Sequence, residues 1–242
     1  MMAKEARGPR RVLLGLGTGH DLDLSIEVAV IFASAVKSDL LCILVQQEDL
    51  MNLAGLPFAK VFGPGGHVST FTLDTIESQF NQLARTVERA LAESCARTKI
   101  TWQLLRPRGE TFQEIITILE GGDIVIVNRR DIQISGRGLF AAASLFLDRA
   151  AAVVVPSSRI GRPDPIVVIS DGPGTANAAA IARGIGLATG RRVQFMGALD
   201  FQHFQGRASL VLAPLGSVVP LGEVEFLRKI AATGASAVLV SE

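Results

Sequence analysis

Residues 166–189 read IVVISDGPGTANAAAIARGIGLAT. Ile166, Val167, Val168 and Ile169 form a β-branched run with no polar alternation, as expected of a strand buried on both faces of a parallel sheet. Asp171-Gly172-Pro173-Gly174 has the composition of a turn, and the small residues from Thr175 to Thr189 continue as a helix. The chain opens with the same three-part unit. Residues 12–16 are an apolar run, Gly15, Gly17 and Gly19 supply a turn, and Asp21 or Asp23 caps a helix reaching about Val36. A strand, glycine turn and helix used at both places predicts two related α/β halves.

Between them the elements alternate. Residues 40–45 read as a second buried strand, and 46–69, with Pro57, Pro64 and the pair Gly65-Gly66, as a long loop in which Glu48 and Asp49 could cap a short helix. Leu73, Ile76, Phe80, Leu83, Val87 and Leu91 recur every three or four residues and line one face of a long amphipathic helix. Residues 100–105 make a strand. Thr111 with Glu114 has the spacing of a capping box, Gly121-Gly122 stops the helix it opens, and 123–127 is a strand. A helix over 139–149 and a strand over 152–155 end the first half. The second half continues with strands at 193–196, 210–212 and 237–240 and a helix over 221–232. It lacks counterparts of the first half's central helix, strand and helix, so it reads as a shortened copy. The division expected is 1–156, a linker over 157–165, and 166–242.

The totals restrict the function. Of 242 residues, 48% are hydrophobic and 19% charged, which is enough apolar material for a packed core. Lys and Arg number 24 against 23 for Asp and Glu, so a net charge of +1 provides no field to attract nucleic acid or an acidic membrane. Tyr is absent and aromatics are 5%, which leaves few platforms for base stacking. Cys42 and Cys95 lie in apolar stretches and are expected as buried free thiols. The basic start precedes an apolar run too short for a secretory leader, and no stretch reaches the ~20 apolar residues that cross a bilayer. A cytoplasmic location is expected.

The β/α alternation with its final Ala/Val strands resembles the universal stress protein family twice over, across residues 11–156 and 165–241. In the second half Val167-Val168-Ile169-Ser170-Asp171-Gly172, followed by Thr175, Ala178 and Ala179, is similar to that family's first strand, acidic turn and first helix. The resemblance implies two Rossmann-like open, mainly parallel sheets flanked by helices. It also implies an internal pseudo-dimer joined through 152–155 and 237–240, which would cover two strand edges. ATP-binding members carry an Asp after the first strand. After the fourth they carry a glycine loop, followed nine residues later by Gly-Ser or Gly-Thr, whose backbone amides embrace the phosphates. The first half has Gly17 where the acid should be. After its fourth strand come Asn128, Arg129, Arg130, Ser135, Gly136, Arg137 and Gly138, then Leu139-Phe140-Ala141-Ala142-Ala143 without the Gly-Ser. The second half keeps Asp171 and Gly172, but its 215–220 segment is too short for the loop. The candidate nucleotide-binding residues are therefore Gly15, Gly17, the seven from Asn128 to Gly138 just named, Asp171 and Gly172.

Two readings follow from the resemblance. One is a non-enzymatic regulatory or interaction protein without canonical ATP binding and with no cofactor, engaging an unidentified protein partner. The other is a stress sensor that binds ATP or another adenine nucleotide through the Arg/Gly loop. A homodimer is compatible with both. An enzyme of the wider adenine-nucleotide α-hydrolase-like group ranks last, for want of a catalytic constellation.

Other motifs have plainer explanations. Gly15-Leu16-Gly17-Thr18-Gly19 lacks the third glycine of a dinucleotide fingerprint, because His20 stands there, and reads as a tight turn. His20, His67 and His203 have no metal-ligand spacing with either cysteine. Ser135, Ser144 and Ser217 lack a nucleophile-elbow sequence. Trp102 is expected in the core.

Overall fold

The computed structural model describes residues 11–17, 22–56, 60–62, 68–70, 72–157 and 163–241. In the first half, strand β1 (Arg11–Leu16) leads to helix α1 (Leu22–Val36) and β2 (Asp39–Leu44). Next come β3 (Gln46–Gln47), α2 (Glu48–Ala54), β4 (Lys60–Phe62), β5 (Val68–Thr70) and the long α3 (Leu73–Thr98). Then follow β6 (Trp102–Leu105), β7 (Arg108–Gly109), α4 (Thr111–Ile118), β8 (Ile124–Ile126), α5 (Arg129–Ile134), α6 (Leu139–Leu147) and β9 (Ala152–Val155). The second half contains β10 (Ile166–Ile169), α7 (Thr175–Thr189), β11 (Val193–Met196), α8 (Ala198–His203) and β12 (Leu210–Pro214). It ends with α9 (Leu215–Val218), a 3-10 turn (Val219–Leu221), α10 (Glu223–Thr233) and β13 (Ser236–Val240).

The two expected sheets are one. Nine strands hydrogen-bond in the order β11-β10-β12-β13-β9-β8-β1-β2-β6. Each half is parallel within itself, and they join where β13 runs antiparallel to β9, pairing Val238 with Val154 and Leu239 with Val153. This is the pairing expected of an internal pseudo-dimer. It removes two inner edges, leaving β6 and β11 outermost. The second half places β11, β10, β12 and β13 as the first half places β2, β1, β8 and β9. It has no strand at the position of β6, and the six-residue α8 stands where the first half has α3, β6 and α4.

Alternation along the strands divides the core into two layers. Val12, Leu14, Val154, Val168 and Val238 face one side with residues of α1, α3 and α7. Leu13, Val125, Val153, Val167 and Leu239 face the other with residues of α4, α6 and α10. Helices on both faces explain the apolar runs of the inner strands, whereas the outermost strands β6 and β11 carry the exposed Gln103 and Gln194. Ile76, Val87 and Leu91 of the α3 stripe are buried and Phe80 and Leu83 pack against the first layer, while Leu73 at the helix start is 42% exposed. Cys42 and Cys95 are buried free thiols, and burial pushes the Cys42 thiol far above its ordinary value. Trp102 is half-buried against the core.

Two local expectations need correction. The segment 46–69 is not a plain loop, since it holds β3, α2, β4 and part of β5; Gln47 precedes α2, and Glu48 and Asp49 lie in its first turn rather than capping it. The capping box at Thr111 does not form, because Glu110 is the residue before α4 and no side chain caps that helix. The Glu114 carboxylate instead lies over Gly109, where a Cβ would come within 2.6 Å of it.

Candidate functional site

Open parallel sheets place ligands beyond the carboxyl ends of their strands. There the chain after β8 is ordered by short-range contacts. Asn128 lies two residues beyond β8 and its Oδ1 accepts the Arg130 N–H at 2.9 Å, capping the start of α5. The stretch read as a glycine loop therefore contains a helix of six residues. Ser135 closes it, its hydroxyl donating to the Ile132 carbonyl at 2.6 Å, and Gly136 turns the chain at φ +72°. Arg129, Arg130 and Arg137 are exposed. Arg137 places its guanidinium 5.1 Å from the centre of the Phe112 ring.

Gly138 is the residue before α6. The next two amides have a partner: Leu139 N–H donates to Glu223 Oε1 at 2.9 Å and Phe140 N–H to Oε2 at 2.8 Å. Glu223 is the first residue of α10, in the other half of the chain. A Cβ at position 138 would lie 2.8 and 2.9 Å from the two carboxylate oxygens, so the approach depends on glycine. The positive end of a nine-residue helix thus holds an anion belonging to the chain itself. With both amides engaged, the start of α6 as it stands does not fit a phosphate group.

The second half uses its acidic turn in the same way. The Asp171 Oδ2 accepts the Ala198 N–H at the start of α8, and a Cβ on Gly197 would lie 3.3 Å from both Asp171 oxygens. The Ser217 hydroxyl donates to the Asp171 carbonyl. Gly172 takes a positive φ of +83° in the turn. Asp171 and Gly172 belong to the loop after β10, whereas Asn128 to Gly138 follow β8; three strands, β9, β13 and β12, separate the two places in the sheet. Gly15 lies inside β1, where a Cβ would meet Ile115 Cδ1 at 2.3 Å, so packing of α4 on the strand accounts for it. Gly17 is buried just beyond β1. Residues 18–21, including His20, lie outside the described residues, as does His67.

A cleft of about 200 Å³ opens near the loops after β2 and β6, lined by Glu48, Asp49, Glu110, Thr111, Phe112 and Asp131 among others. Its carboxylates have a local explanation. Glu48 and Asp49 sit in the first turn of α2, Glu110 precedes α4, and Asp131 is in the first turn of α5, each where a negative charge offsets the helix dipole. No group of three or more His, Cys, Asp or Glu among the described residues could hold a metal ion. The serines form no triad: Ser135 and Ser217 bond to carbonyls and Ser144 is exposed.

Glu223 was not among the residues singled out from sequence. Its contact spans 84 residues, and at position 223 it looks like an ordinary acid in the first turn of a helix.

No protein-family model matches the chain, and no curated protein matches it. Solved structures do. A functionally unknown protein from Pseudomonas aeruginosa PAO1 aligns over 96% of this chain and 92% of its own, with a TM-score of 0.52 at 10% identity. A structure named "Putative Universal Stress Protein from Pseudomonas aeruginosa UCBPP-PA14" aligns over 97% of this chain and 75% of its own, with a TM-score of 0.44 at 12% identity. The first likeness is one of fold alone: the chain shares a mainly parallel α/β architecture with that protein of unknown function.

Proposed function

We propose that this chain is a non-enzymatic regulatory or interaction protein of universal stress type that does not bind ATP in that family's canonical way. The reading treats residues 1–156 and 166–242 as two unequal units and expects a protein partner and a cytoplasmic location. Consistent with it, no helix among the described residues is long and apolar enough to cross a membrane.

One observation carries the proposal. Backbone amides at the start of α6 are the donors that the loop after β8 could turn toward a phosphate, and Glu223 holds them. A carboxylate in a partly buried position at a helix start is worth up to about 2 kcal/mol, which an incoming phosphate would have to exceed after displacing it. Asp171 supports the same reading, because its carboxylate is engaged with the start of α8.

The competing sensor reading draws on Arg129, Arg130 and Arg137, exposed together on the segment after β8. Mass spectrometry of small molecules released from freshly purified protein separates the two, alongside thermal unfolding with millimolar ATP. The proposal expects no stoichiometric nucleotide and no shift. A copurified adenine nucleotide, or a saturable ATP-dependent rise in melting temperature, would favour the sensor.

A further inference from the structure

Two features 85 positions apart fit one another. Position 138 lacks a Cβ where one would strike a carboxylate, and position 223 supplies that carboxylate, with one oxygen on each of two successive amides. Glu223 is also the first residue of its own helix and follows Gly222, whose φ of +79° turns the chain into α10. One side chain therefore lies near the positive ends of two helices, one in each half. Glu225, two residues further on, pairs instead with Arg228 of its own helix.

We propose that Glu223 is an intramolecular counter-anion, a latch by which the second half holds the start of α6 closed against free oxyanions. The inference rests on the function proposed above and names the regulation of the same site. The start of α6 is an anion site whose resident ligand belongs to the chain, and a phosphate-type group reaches it when the first turn of α10 withdraws. Leu139 and Phe140 have already adopted the geometry that receives two oxygens of one anion. Removing the carboxylate leaves two oriented donors without a partner, which inorganic phosphate can then accept from.

The test follows the Leu139 and Phe140 amide resonances of the full chain by NMR as inorganic phosphate is added. The wild type, Glu223→Ala, Glu223→Gln and Glu225→Ala are compared. In the wild type and in Glu225→Ala the two amides are expected to stay in place. In Glu223→Ala they should shift saturably, with an apparent affinity at least on the order of tenfold above any wild-type response. Glu223→Gln, which keeps the shape and loses the charge, should fall between them, and it decides the question if the Ala variant does not fold.

Wild-type amides that titrate as readily as those of Glu223→Ala would overturn the latch. So would amides that stay still in a folded Glu223→Ala or Glu223→Gln. These outcomes are separable from failure of the proposed function, which is overturned by wild-type ATP binding, whereas the latch is decided by the phosphate response of the variants.

Discussion

Gly184 of α7 lies against the backbone carbonyl of Ala35 on α1: a Cβ at 184 would sit 3.2 Å from that oxygen. The two helices follow the first strand of each half, and they pack together on one face of the sheet. The small residues noted between Thr175 and Thr189 thus let equivalent helices of the two halves approach closely.

Enlarging that position should separate them. Gly184→Leu is expected to destabilise the protein by about 1–3 kcal/mol through overpacking against a carbonyl that cannot turn aside. Gly184→Ala should be nearly neutral, because ~1 kcal/mol of helix propensity is set against a contact a few tenths of an ångström too tight. Urea unfolding of both variants measures this. A Leu variant as stable as the wild type would mean that the helices do not pack as described.

The α3 stripe makes a second contrast. Leu91 is fully buried and Leu73 is 42% exposed, although both belong to the same sequence periodicity. Leu91→Ala should cost about 2–5 kcal/mol by opening a cavity in the core, and Leu73→Ala less than about 0.5 kcal/mol. Equal losses in denaturant titrations would imply that Leu73 is covered by something the single chain does not contain.

How legible these features were in the sequence depended on distance along the chain. The strand at 166–169 was readable from its unbroken β-branched run, the helix at 175–189 from its small residues, and α3 from the spacing of its apolar stripe, although that helix runs on to Thr98 beyond the last stripe residue, Leu91. The antiparallel junction of β9 and β13 was legible through the family resemblance, because two terminal apolar strands would otherwise be open edges. The capping box at Thr111 was misread, since Glu114 has a competing place over Gly109 that sequence spacing does not reveal. The six-residue α5 was hidden among glycines and arginines that also suit a loop. Glu223 was beyond reach, because nothing near position 223 signals an amide pair 84 residues away.

Asp123 supplies a pH-dependent test of the fold. It is fully buried, accepts the Glu120 N–H at 2.9 Å and is bridged by the Arg11 Nε at 3.1 Å, which ties the start of β1 to that of β8. Burial pushes its carboxyl above the ordinary 3.8, and the bonds from Glu120 and Arg11 offset this incompletely. As the pH falls, the folded chain then takes up this proton before the unfolded chain does. The stability contributed by that proton is complete below 3.8 and is lost as pH rises through the folded value. Asp123→Asn removes the titration. Paired urea titrations should therefore show the wild type gaining on the Asn variant as pH is lowered through this window. A difference independent of pH would place the folded value at the ordinary one.

Arg137 tests the two functional readings against each other. Its guanidinium lies 5.1 Å from the centre of the Phe112 ring, and its Nη1 donates to the Ser135 carbonyl at 3.4 Å, on an exposed segment. An exposed cation–π contact is worth about 0.5–1 kcal/mol, so Arg137→Glu should lower the melting temperature by no more than about 4 °C in a chain of this size. If the arginine serves no ligand, ATP should leave both proteins unshifted at every salt concentration. Were it holding a phosphate, reversing its charge would remove a favourable contact and add a repulsive one, on the order of 2 kcal/mol or more where the contact is desolvated. The wild type would then be protected by ATP at low salt, the protection would fade as salt screened the contact, and Arg137→Glu would abolish it. That pattern would transfer the function to the sensor reading, with charge from the loop after β8 replacing the amides that Glu223 occupies.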